Sequence, residues 1–154
     1  MIESPSLAEV PEQAIAYIPL HAARSELKDV FGPAIGELMA ELAAQGVAPA
    51  GPMFAHYHEM DADGMTFDVA FPVAAPVQAS GRVQTGLRPA AKVARAVYVG
   101  NYDGLFGAWG QFGEWIKAKG LTPRGDLWEV YVVGPADNLD PSQWRTELNQ
   151  PLSA

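Results

Sequence analysis

The sequence predicts an α+β fold built twice over, each copy running strand, helix, strand, strand. The strands form one curved antiparallel sheet, with both helices on one face and a ligand groove on the other. Three observations carry this. Residues 46–57, GVAPAGPMFAHY, match residues 120–131, GLTPRGDLWEVY, without a gap, at an offset of 120 − 46 = 74. Two apolar stripes precede those segments, Phe31, Ile35, Leu38 and Leu42 in the first copy and Leu105, Trp109, Phe112 and Ile116 in the second. Both have the spacing of one helix face. Runs of β-like sequence flank each stripe at corresponding places.

The first copy opens with a strand over Ala14–Leu20, and the second with one over Lys92–Val99. Asp29 and Asp103 precede the two stripes and are read as helix N-caps. Pro33 falls in the first turn, where a missing N–H breaks no intrahelical bond. Gly46 and Gly120 end the helices as left-handed residues, each followed three positions later by a proline. Strands then follow over Met53–Glu59 and Met65–Val73, joined by the hairpin sequence DADG, and over Leu127–Val133 and Trp144–Leu148, joined by the longer GPADNLDPSQ. Phe67 is matched with Trp144. Residues 74–88, with Pro76, Gly81 and Gly86, read as the linker between the repeats, which span about 12–75 and 90–152.

Composition narrows the function. A chain of 154 residues with 49% hydrophobic and 18% charged residues reads as one globular domain over 1–154. Its formal charge of -8 repels a phosphate backbone, so nucleic acid is not an expected direct partner. The same charge draws cations or serves solubility alone. Without cysteine there are no disulfides, thiolate metal sites or cysteine nucleophiles. The N-terminus MIESPSLAEV lacks a basic, then apolar, secretory signal, and no apolar run approaches a membrane span, so the expected location is the cytoplasm.

Strand alternation in WEVYVV sorts Trp128, Val130 and Val132 to one face and Glu129 and Tyr131 to the other. The more apolar set is assigned to the helices, which sends Glu129 and Tyr131 into the groove with Tyr57 from the first copy. Ala55 matches Glu129, so only one copy carries the acid. A lone carboxylate among aromatic rings reads equally as an anchor for a cation or as a solvated strand glutamate.

The segment from Val97 through GNYDGL, the helix end WIKAKGL, the strand WEVYVVGP and the closing WRTELNQPL resemble the GyrI-like (gyrase-inhibitor-like) small-molecule-binding domain. That family includes the effector-binding domains of multidrug-responsive MerR- and AraC-type transcription activators. The resemblance covers roughly residues 12–152 and is strongest after residue 90. It implies a pocket for hydrophobic, often cationic aromatic molecules, with Glu129 at its floor. Tyr57, Tyr98, Tyr102 and Trp144 are the aromatic walls it implies, and Phe67 joins them as the match of Trp144. The family's GPYD-like turn reads GNYD here. No helix-turn-helix module is expected beside the domain, so DNA contact would belong to another chain. Sensing or sequestration is one implied role. Others are hydrolysis of cyclopropane-bearing DNA-alkylating compounds, with Glu129 and Tyr131 as catalytic residues, and a gyrase-inhibitor-like interaction with a protein partner.

Other features are set aside. His56 and His58, with His21 the only other histidine, do not make a metal site, and no cofactor is expected. Trp109, Phe112, Trp115 and Ile116 read as core. The glycines of GNYDGLFGAWG lack dinucleotide-fingerprint spacing. Either Trp144 or Glu147 faces the groove.

Overall fold

The computed structural model describes residues 2–135 and 137–153, with Lys28 described by its backbone alone. The strands are β1 (Ile2–Val10), β2 (Gln13–Ala22), β3 (Phe54–Asp61), β4 (Gly64–Pro72), β5 (Gln84–Arg88), β6 (Ala91–Val99), β7 (Leu127–Val133) and β8 (Arg145–Pro151). The helices are α1 (Leu27–Ala44) and α2 (Leu105–Ala118). Two compact units result, one from Pro11 to Ala90 and one joining the N-terminal residues up to Val10 to the chain from Ala91 onward. In the first, strand order is β3-β4-β2-β5 and α1 packs on β2 and β4. In the second it is β1-β6-β8-β7 and α2 packs on β1 and β6. Pairing is antiparallel throughout both ladders, as the α+β class requires.

The duplication extends to the ladder. Phe54 pairs with Ala70 and Tyr57 with Phe67, as Trp128 pairs with Asn149 and Tyr131 with Thr146. Each ladder then shifts register immediately after the tyrosine, between Tyr57 and Glu59 and between Tyr131 and Val133. The counterpart of Phe67 is therefore Thr146, which corrects the match with Trp144. The cause is the connection: β3 and β4 join through a tight turn, whereas a 3-10 turn over Pro141–Gln143 precedes β8 and leaves Trp144 outside the strand.

Two strands carried no readable signal. β1 pairs with β6, but its sequence IESPSLAEV lacks alternation, and Ser4 has φ 51° beside a register shift between Glu3 and Ser6. β5, QTGLR, lies within the stretch read as a linker and pairs with β2. At Gly86 a side chain would meet the Tyr17 ring at 3.0 Å, so the glycine permits this close pairing.

The helix starts also differ from expectation. Each helix is entered through a 3-10 turn, Arg24–Glu26 and Tyr102–Gly104. Asp29 thus lies in the first turn of α1, and Asp103 lies inside the second 3-10 turn. Neither is the N-cap. Glu26 accepts instead from the Ala23 N–H at 3.0 Å. Both aspartates still sit where the helix dipole favours negative charge. The earlier start also puts Pro33 inside α1, where it leaves the Asp29 carbonyl without an intrahelical donor. The helix ends hold as expected: Gly46 (φ 69°) and Gly120 (φ 70°) close paired motifs in which Val47 N–H reaches Leu42 O and Leu121 N–H reaches Ile116 O.

The GNYDG turn is locked by Tyr98. Its hydroxyl donates to the Asn101 carbonyl at 2.8 Å, and a Cβ on Gly104 would overlap that hydroxyl. Gly104→Ala is expected to destabilise the protein by about 1–3 kcal/mol. Adding Tyr98→Phe should recover part of the loss, because it removes the atom in collision; equilibrium denaturation of the single and double variants measures both.

Candidate ligand-binding site

Cross-strand register decides which face each β7 side chain occupies. Ala96 pairs with Leu148 and Leu148 with Glu129; Tyr98 pairs with Thr146 and Thr146 with Tyr131. Ala96, Tyr98 and Leu148 form one core with Ala108, Phe112 and Ile116 of α2. Glu129 and Tyr131 therefore lie on the face that α2 covers. This corrects the sequence assignment, which gave that face to Trp128, Val130 and Val132. Trp128 is buried on the opposite side beside Asn149, while Val132 stands 43% exposed at the register shift. Asn149 accepts from Arg95 Nε at 2.8 Å and donates to Glu147 Oε1 at 3.1 Å, so Glu147 belongs to that opposite face.

Glu129 is 6% exposed, and each carboxylate oxygen has a donor. Trp109 Nε1 donates to Oε2 at 2.6 Å, and the Tyr131 hydroxyl donates to Oε1 at 2.8 Å. Burial raises the Glu129 pKa above the ordinary carboxylate range, although the Trp109 and Tyr131 hydrogen bonds pull it down. Tyr102 sits edge-on to Tyr131 at 5.8 Å between centroids and 4.9 Å from Trp144, whose indole N–H donates to the Asn138 carbonyl. Burial, and then the charges of Glu129 and Asp137, raise the Tyr102 pKa. Gly134 makes room here, since a Cβ there would lie 3.0 Å from the Tyr102 hydroxyl.

The structure thus gathers Glu129, Tyr131, Tyr102 and Trp144. Tyr98 adjoins them across Thr146, but its hydroxyl is engaged in the GNYDG turn. Tyr57 and Phe67 belong to the other unit, where Phe67 stacks on Tyr57 at 5.2 Å and on Phe31 at 5.4 Å. His58 pairs with Asp68 at 2.7 Å, and among the described residues no group of three or more His, Cys, Asp or Glu could hold a metal.

Sequence reasoning missed Trp109, which read as core. It also missed a groove of about 790 Å³ along α2, lined by Phe106, Trp109, Gly110, Gly113 and, from β7, Leu127. Phe106 is 69% exposed at this groove, and no heavy atom lies within 4 Å of a Cβ built on Gly110 or Gly113. The signal was the spacing of FGAWGQFG, which places Phe106, Gly110 and Gly113 on one side of a helix. Trp109→Phe removes the indole donor and should raise the Glu129 pKa further; carboxyl-carbon NMR titration of wild type and variant checks the direction.

Trp109 belongs both to the wall of this groove, which also carries Lys117, and to the hydrogen bond with Glu129. Residues 3–153 match the GyrI-like small molecule binding domain, and the chain belongs to that family. No curated protein matches it. Among solved structures, the C-terminal domain of EcmrR is 21% identical with TM-score 0.86, over 97% of both chains. EcmrR in its DNA complex is 22% identical with TM-score 0.85, and the chain spans 57% of that protein. A hydrolase encoded by lin2189 from Listeria innocua is 14% identical with TM-score 0.71, over 97% of this chain and 91% of that one. SAV2435 bound to tetraphenylphosphonium is 11% identical with TM-score 0.73, over 99% and 95%. At these identities the likeness is one of fold.

Proposed function

We propose that the chain, as one ligand-binding domain in the cytoplasm, binds hydrophobic cationic aromatic molecules and serves in multidrug sensing or sequestration. The observation that carries this is Glu129, a nearly buried carboxylate with raised pKa whose two described side-chain donors, the Trp109 indole and the Tyr131 hydroxyl, are both neutral. A desolvated carboxylate of this kind gains more from an incoming positive charge than a hydrated one does. The rings of Tyr102, Tyr131, Trp109 and Trp144 add quadrupolar attraction. The groove supports the same reading. Glycine inside a helix costs about 1 kcal/mol relative to alanine, yet Gly110 and Gly113 touch no neighbour that needs them small. Open space for a flat ligand gives them a reason. That SAV2435, of the same fold, is bound to tetraphenylphosphonium fits this ligand class.

Calorimetric titration tests the proposal with two probes of matched shape and opposite charge, tetraphenylphosphonium and tetraphenylborate. Wild type should bind the cation and not the anion, and Glu129→Gln should weaken the cation roughly ten- to hundredfold, as expected for a charge-assisted contact of about 1.5–3 kcal/mol. Equal affinity of wild type and Glu129→Gln for the cation rejects the role. Binding requires the ionised carboxylate, so affinity should climb as pH rises through the raised Glu129 pKa and level off above it. A bound cation lowers that pKa, so protons should be released within the same window. In the same assay, Gly110→Ala with Gly113→Ala should raise thermal stability while weakening binding.

The 2.8 Å Tyr131–Glu129 hydrogen bond also supports a second reading, a hydrolase of cyclopropane-bearing DNA-alkylating compounds. A carboxylate with raised proton affinity, oriented by a tyrosine, is suited to act as a general base toward water, and the Listeria innocua neighbour is named a hydrolase. Mass-resolved turnover of such a compound separates the readings. Stoichiometric binding without ring-opened product is the expected result; multiple turnovers by wild type, lost in Glu129→Gln, would establish the enzyme instead.

A further inference from the structure

We propose that Thr146 is a second polar contact of the Glu129 site, selecting cations that carry N–H groups, such as protonated amines and amidines, over quaternary cations. The proposal rests on the cation-binding reading above and deepens it. Thr146 is fully buried, and its hydroxyl oxygen has no hydrogen-bond partner among the described residues. The ladder places it directly between Tyr98 and Tyr131, on the face that carries α2. Glu129, opposite Leu148, is its diagonal neighbour on that face.

Comparison of the two copies sharpens the point. Where one unit has Thr146 opposite Tyr131, the other has Phe67 opposite Tyr57, fully buried and stacked on Phe31. Where one has Glu129, the other has Ala55, also fully buried. One copy of the fold fills this place with apolar side chains, and the other puts a carboxylate and a hydroxyl there. An unpartnered buried hydroxyl is unfavourable. Valine has the same shape and suits a strand at least as well, so neither packing nor strand propensity explains the hydroxyl. The Glu129 oxygens each accept one bond and can each accept another. A cation with several N–H donors can satisfy Glu129 with one and the Thr146 oxygen with a second. A quaternary cation satisfies only the charge and leaves the hydroxyl unpartnered.

The probes are 2-naphthylmethylammonium and its N,N,N-trimethyl derivative, which share charge and ring and differ in N–H donors. Calorimetric titration of the full chain compares wild type, Thr146→Val, Thr146→Ser and Glu129→Gln. Thr146→Val should weaken the primary ammonium about tenfold and leave the trimethyl probe unchanged, and Thr146→Ser should restore the wild-type ratio. Circular-dichroism melts should show Thr146→Val at least as stable as wild type, since it removes a buried hydroxyl without a partner. An unchanged ratio of the two affinities in Thr146→Val overturns the proposal, as does a loss of stability, which would reveal a water bound to the hydroxyl. If Glu129→Gln weakens both probes while Thr146→Val changes neither, the anchor stands and Thr146 falls. If wild type binds neither probe, both readings fall.

Discussion

A carboxylate withdrawn from water must be met by donors, and the local architecture of the second unit follows from how Glu129 is met. One donor comes from the helix through Trp109, and the other comes from two residues along the same strand, through Tyr131. The first of these geometries depends on the start of α2. That start is fixed by the 3-10 turn over Tyr102–Gly104, and the turn is held by Tyr98 reaching the Asn101 carbonyl. Gly104 is thus tied to Glu129 through a short physical chain: no side chain at Gly104, close approach of Tyr98, placement of α2, and delivery of an indole N–H to the carboxylate.

Duplication supplied the frame and divergence supplied the site. Both copies share the helix-ending glycines, the strand tyrosines and the register shift after them. In one copy the space beside the tyrosine is closed by Phe67 and Phe31. In the other it is polar, and the connection before β8 carries Trp144 out of the strand to meet Tyr102. A longer connection and a few substitutions place the polar side chains of Glu129 and Thr146 where the other copy has apolar packing.

The duplication, the helix ends and the antiparallel pairs were legible because glycine, proline and apolar spacing report local conformation directly. The orientation of β7 was not. Alternation divides Trp128 and Val130 from Glu129 and Tyr131, but it does not say which set meets the helix, and hydrophobicity chose wrongly. Trp128 is buried on the other face, paired in register with Asn149, while Glu129 is tolerated under α2 because an indole N–H reaches it. A partner on another element leaves no mark in the strand's own sequence. The same holds for β1 and β5, whose strand character comes from the edges they join and not from their own alternation.

The raised pKa of Glu129 links stability to recognition. The folded chain holds this proton more tightly than the unfolded chain, so the stabilisation from the protonated form is fully present below the unfolded pKa and is lost as pH rises through the folded one. Ionising the desolvated Glu129 carboxylate therefore costs the empty protein stability, a cost that a cation at the carboxylate would offset. The Trp109 and Tyr131 hydrogen bonds offset part of that cost. Further donors at the remaining acceptor positions would lower the pKa and leave less for a ligand to offset. On the cation-binding reading proposed above, preference for positive charge depends on the site being incompletely satisfied, and each further donor reaching Glu129 would weaken that preference.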